Sequence, residues 1–266
     1  MALPISEAQL IEFAKTVELT ASRFLEGAHR SARRGEGLEF HSHAAYGEGE
    51  DARRIDWRRW AASERLYVRK FEKEEKLGWA LWLDQSLSMN FGEKRLASYQ
   101  WTATLLYLAQ LWADSWMLYP ESPRQFTDLY HDLLQGRLGS EPKDLPELEP
   151  QPRSQLILIS DFFFDLEILE KFRDRSWSDF SSVHLIQLLD PLESKFRFKD
   201  VIEFEDFESN EKMLLDAGAV RSDYLRALSE HQAALKKLVE NYGDFHSFEI
   251  DSTKMTEQLS DFFEVM

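Results

Sequence analysis

Leu77-Gly78-Trp79-Ala80-Leu81-Trp82-Leu83-Asp84-Gln85-Ser86-Leu87-Ser88 is the stretch whose reading decides the fold. Its first seven residues are almost entirely apolar. A short continuous apolar run of this kind predicts a strand buried on both faces, as in a parallel sheet covered by helices. Trp79 and Trp82 then fall on opposite faces of that strand. Asp84, Ser86 and Ser88 follow with the spacing Asp-x-Ser-x-Ser, so one carboxylate and two hydroxyls leave the strand end together. These are hard oxygen donors of the type that suits Mg²⁺ or Mn²⁺. No Lys, His or Cys stands within the pentapeptide, which favours a metal-holding loop over an activated nucleophile. The plain alternative is a cluster of helix N-cap residues.

The pattern repeats outward from this strand. A helix is expected from Lys94 to Asp114, a strand at Trp116–Tyr119, and a short helix near 127–135. Gln155–Ser160 reads as a second buried strand ending at Asp161. A helix at 166–173, a strand at Val183–Leu189 ending at Asp190-Pro191, and an edge strand at Val201–Phe207 follow. A long helix at 220–242, a strand at Phe245–Ile250 and a helix at 255–264 complete the chain. Strands alternating with helices predict an α/β fold: a doubly wound, mostly parallel sheet with helices on both faces. Ligands of such sheets bind beyond the carboxyl ends of the strands. Asp84, Asp161 and Asp190 all fall at those ends, Asp190 as a turn residue before proline.

Before residue 77 the character differs. Ser6–Glu26 has helical periodicity, with Leu10, Phe13, Ala14, Val17, Ala21, Phe24 and Leu25 at three-to-four-residue spacing. Residues 29–65 are polar and punctuated by glycine, with short strands expected at Leu38–His41 and Leu66–Phe71. Residues 1–76 hold 14 Lys/Arg and 14 Asp/Glu, whereas residues 77–266 hold 18 and 34 and carry the whole net charge of −16. The division expected is therefore 1–76, an N-terminal helix and β segment packing on the rest, and 77–266, the α/β domain.

Composition limits the functions open to the chain. Its 266 residues are 43% apolar, enough for a real core. Cysteine is absent, which excludes disulfides, thiolate metal sites and cysteine nucleophiles. The acidic balance disfavours nucleic acid and anionic membrane surfaces. No run approaches the length of a membrane span, and the N-terminus lacks a signal-peptide pattern, so the expected location is cytoplasmic. His41 and His43 would share one strand face, but with His29 they make no convincing zinc spacing. The arginines between Arg30 and Arg69 are interleaved with Glu48, Glu50, Asp51 and Asp56, which reads as internal pairing.

Two resemblances rest on these residues. Asp84-x-Ser86-x-Ser88-Met89 after one buried strand, with Ser160-Asp161 after a later one, resembles the metal-ion-dependent adhesion site of a von Willebrand factor A domain. Gly27-Ala-His29-Arg-Ser31, Gly35-Glu-Gly37-Leu-Glu39-Phe40 and Tyr46-Gly-Glu-Gly49-Glu50-Asp51-Ala-Arg53-Arg-Ile55-Asp56-Trp57 resemble the bacterial family called domain of unknown function 58. So do Leu66-Tyr-Val68-Arg69-Lys-Phe71 and Asp190-Pro191-Leu-Glu193. The resemblance implies a von Willebrand factor A-like fold with a family-specific N-terminal segment, and a MoxR-type AAA+ ATPase as working partner. It also implies Asp84, Ser86, Ser88 and Asp161 as metal ligands. The adhesion-site pattern adds a threonine between the two loops, for which this sequence offers Thr127 or, nearer the expected place, Ser140.

The function expected is a non-enzymatic protein-interaction module whose bound Mg²⁺ or Mn²⁺ bridges to a carboxylate of its partner. Two alternatives stand beside it. One is a metal-dependent hydrolase or phosphatase built on the same strand-end carboxylates. The other is a scaffold that works without metal.

Overall fold

The computed structural model describes residues 6–32, 42–45, 67–70, 77–112, 114–123, 125–145, 147–148, 153–205 and 212–265. They divide into two compact units, one joining the residues up to Phe24 with those from Leu77 onward, the other running from Leu25 to Lys76. The first helix, α1 (Glu7–Ala32), crosses the division and continues past Gly27, where the sequence suggested an end. In the second unit β1 (Ser42–Ala45) pairs antiparallel with β2 (Tyr67–Lys70). The strand expected at Leu38–His41 lies outside the described residues, as do the motifs from Gly35 to Phe40 and from Tyr46 to Trp57.

The larger unit is built on five strands: β3 (Gly78–Leu83), β4 (Ser115–Tyr119), β5 (Ser154–Ser160), β6 (Ser182–Leu189) and β9 (Gly243–Glu249). All neighbouring pairs are parallel, in the order β4-β3-β5-β6-β9. The chain passes from β3 outward to β4 and then back across to β5, so the topological switch point lies between β3 and β5. That is where an open parallel sheet offers its ligand crevice.

Every residue of β3 is buried, as its apolar run predicts. On one face Ala80, Trp82, Leu156, Leu158, Val183 and Leu185 pack against α4 (Leu166–Ser176) and α6 (Ala217–Val239) through Leu169, Phe172, Leu235 and Leu238. On the other face Trp79 meets Trp112 and Phe263, and Trp101 of α2 (Lys94–Leu111) stacks on Phe248. Phe263 belongs to α7 (Met255–Val265) and also meets Phe24 of α1. The result is helix, sheet, helix, with the two tryptophans of β3 buried on opposite sides.

Two short helices complete the set: α3 (Leu129–Leu134), and α5 (Pro191–Lys195) directly after β6. The expected edge strand at Val201–Phe207 is corrected by the structure. Among the described residues β7 (Val201–Glu205) pairs only with β8 (Lys212–Asp216), in a separate antiparallel ribbon. Its pattern is that of a strand, but nothing in a single strand's sequence says which sheet it joins. No helix among the described residues is long and apolar enough to cross a membrane.

Candidate functional site at the strand switch point

β3 and β5 end side by side, and their register carries the site. Leu83 pairs with Ile159, and the Asp84 N–H donates to the Ile159 carbonyl at 3.0 Å, so Asp84 and Ser160 leave the sheet as neighbours. Asp84 is fully buried. Its Oδ1 accepts the Ser86 N–H at 2.7 Å, and its Oδ2 accepts the Ser160 hydroxyl. Burial pushes the Asp84 carboxyl up to about 6; the Ser160 donor opposes this, the Asp161 charge adds to it, and the Ser86 donor opposes it. The Ser86 and Ser88 hydroxyls lie 3.0 Å apart. The three residues of the Asp-x-Ser-x-Ser loop thus converge.

Ser140 reaches the same place from the opposite side of β3. It forms an isolated parallel bridge with Asp84, its N–H donating to the Leu83 carbonyl and its carbonyl accepting the Gln85 N–H. Its hydroxyl accepts the Trp82 indole N–H at 2.9 Å. Gly139 makes this approach possible. Its φ is +91°, and a Cβ there would stand 2.3 Å from the Leu83 carbonyl oxygen. Thr127 lies elsewhere, exposed in a 3-10 turn before α3.

Asp161 is fully buried, and its carboxylate meets a cation of the chain itself. Oδ1 accepts the Phe163 N–H at 3.0 Å, and Oδ2 accepts from Lys94 Nζ at 2.7 Å. The intervening Phe162 is left-handed, with φ at 57°, and its N–H donates to Ser160 Oγ. That uncommon conformation for a bulky residue turns the chain so that consecutive N–H groups fold back on Ser160 and Asp161.

Lys94, fully buried, also donates to Glu193 Oε1 at 2.7 Å. The rings of Phe91 and Phe163 stand 5.6 Å and 5.3 Å from its ammonium, close enough for cation–π attraction. Glu193 closes a capping box on α5: its Oε2 accepts the Asp190 N–H while Asp190 Oδ1 accepts the Leu192 N–H. Asp190 is therefore the N-cap of α5, in keeping with its reading as a turn residue. Burial raises the Glu193 carboxyl, and Lys94 opposes the rise.

Lys94 and Glu193 are the site residues that sequence reasoning missed. A signal for Lys94 was present. It is the first residue of α2, whose first turn holds no acid, and a cation at a helix N-terminus opposes the macrodipole. A residue so placed needs anions brought from elsewhere, and Asp161 and Glu193 are those anions.

A groove of about 340 Å³ opens beside the loop, lined by Ser86, Leu87, Pro142, Lys143, Phe164 and Ile168 among others. Leu87, 51% exposed, stands at its edge between the two serines. The donor set of Asp84, Ser86 and Ser88 fits a hard divalent ion in kind, one carboxylate with two hydroxyls. The fit is partial, because one oxygen of Asp161 already carries the Lys94 charge. Among the described residues no three or more His, Asp or Glu side chains come together as a metal-holding group.

Comparison with known proteins gives three findings. The family model described as protein of unknown function DUF58 matches residues 42–119, a span that includes β1 through β4 and the Asp84 loop, and supports the resemblance to that family. No curated protein matches the chain. Among solved structures, the conserved hypothetical protein BatB from Bacteroides thetaiotaomicron aligns with a TM-score of 0.36 at 9% identity, over 71% of this chain and 99% of that one.

Proposed function

We propose that the chain is a non-enzymatic protein-interaction module on a von Willebrand factor A-like fold, with the Asp84–Ser88 loop as its contact site. The observation that supports this is the division of labour at the switch point. The carboxylates of Asp84 and Asp161 are buried behind the loop and engaged as acceptors, while Leu87 and Ser86 border the adjoining groove. Mg²⁺ or Mn²⁺ would be held by Ser86 Oγ, Ser88 Oγ and Asp84, with Asp161 contributing to charge balance. The ion would supply a Lewis-acid contact for a carboxylate of the partner. By the resemblance of residues 27–89, the partner is a MoxR-type AAA+ ATPase acting in assembly or maturation of a protein complex, in the cytoplasm of a bacterium. The hydrolase alternative has no observation in its favour, since Asp84 and Asp161 are fully buried and Asp190 is engaged as the N-cap of α5.

Calorimetric titration of Mg²⁺ and Mn²⁺ into wild type and into Ser86→Ala/Ser88→Ala tests the ion. Heats abolished by the double substitution are expected, and equal heats in both proteins would overturn it. Retention of the ATPase by wild type and its loss in Leu87→Asp tests the contact site.

The Lys94–Asp161 bridge favours a second reading, in which the ammonium balances the site and no ion is required. A melting temperature insensitive to Mg²⁺, Mn²⁺ and EDTA, with partner retention also unchanged, would select it.

A further inference from the structure

Among the described residues the β7–β8 ribbon is a sheet of its own, separate from the central sheet, and its two strands pair only with each other. Its base is fixed. The Ala217 N–H donates to the Asp200 carbonyl at 3.0 Å, and the Asp216 side chain caps α6 by accepting from the Gly218 and Ala219 N–H groups. Beyond the base, both faces carry uncovered apolar side chains. The register puts Val201 and Leu214 on one face and Met213 on the other, and these are 65%, 69% and 59% exposed. A two-stranded ribbon is marginally stable alone, and among the described residues neither of its outer edges pairs with a further strand. Apolar side chains on both faces of such a ribbon call for a cover.

Charge identifies the cover. From Asp200 to Asp216 the sequence carries seven acids against one lysine. Two such ribbons repel one another, and an anionic membrane repels either. We propose that the ribbon is a docking element for an extended, basic and apolar segment of a partner protein, which adds along a ribbon edge as a third strand. Its backbone would complete the edge, its aliphatic residues would cover Leu214 or Met213, and its cations would answer the acidic balance of residues 200–216. This surface is independent of the Asp84 loop and of any metal there.

The test uses the full chain and a fluorescent peptide of alternating lysine and valine, with alternating glutamate/valine and lysine/serine peptides as controls. Anisotropy is expected to show binding of the lysine/valine peptide that weakens with added salt. The variant Met213→Ser/Leu214→Ser changes only exposed side chains and is expected to weaken binding about tenfold. Absence of binding, equal binding to the variant, or equal binding of either control peptide would overturn the proposal. So would a wild-type dimer in sedimentation velocity that the double variant dissociates, since a second copy would then be the occupant.

Discussion

Lys94 is a cation at the wrong end of a helix, and its neighbours explain why it is tolerated. Asp161 and Glu193 each sit 2.7 Å from its ammonium. Removing one partner from a buried pair leaves a desolvated charge unopposed, at a cost of about 3–5 kcal/mol. Lys94→Met is therefore expected to lower urea-unfolding stability by that order. Adding Asp161→Asn to the same chain should recover part of the loss, and a double-mutant cycle reads the coupling. Simple additivity would sink the internal counter-ion. His184 gives a second case at this scale. Burial pulls its imidazole down to about 4, with Asp244 opposing and His246 reinforcing the shift. Between about pH 6.5 and that value the unfolded chain binds a proton that the folded chain does not. Stability from this residue is thus full above the unfolded value and lost as pH falls through the window, by about 3 kcal/mol at most. Unfolding measured from pH 7.5 to 4.5 should show His184→Leu losing less stability than wild type, and parallel curves would refute the assignment.

Elements were legible in the sequence where one physical signal governed them. The apolar runs at β3, β5 and β6 are visible because strands buried on both faces must be continuously apolar. Helices α2, α4, α6 and α7 are visible through their periodicity. β8 was not, since its exposed Met213 and Leu214 contradict the rule that solvent-facing positions are polar. The return of the chain to Asp84 at Ser140 was only partly legible. The hydroxyl was noticed, but its indole partner is 58 residues away in sequence. That return rests on Gly139, whose left-handed φ and tight approach to Leu83 exclude a side chain. Gly139→Ala should displace Ser140 from the end of β3 and destabilise the fold by about 1–3 kcal/mol. The Trp82 indole would lose its acceptor, so a changed tryptophan emission should accompany the lost stability. An unchanged spectrum with full stability would show that this loop does not depend on the glycine.

At the scale of the whole molecule the smaller compact unit ends at Lys76, where the charge break falls, but it begins after Phe24, inside α1, where the charge pattern marks nothing. The difference has a physical origin. Charge is a property of surfaces, whereas α1 up to Phe24 belongs to the larger unit through its buried stripe of Phe13, Val17, Ala21 and Phe24. Phe13 meets the Tyr130 ring at 5.6 Å, and Phe24 meets Phe263 at 4.9 Å. Phe263 in turn touches Trp79 of β3 and Trp112. A chain of aromatic contacts thus runs from the N-terminal helix to the strand that bears Asp84. Such packing makes α1 up to Phe24 part of one cooperative unit with the sheet rather than an appended arm. Phe24→Ala should therefore cost about 3–5 kcal/mol, the usual range for emptying a buried aromatic position. Helix content by far-ultraviolet dichroism and tryptophan emission should still fall together in a single urea transition. If helix signal is lost first while tryptophan emission holds, α1 unfolds independently and its aromatic contacts do not join it to the sheet.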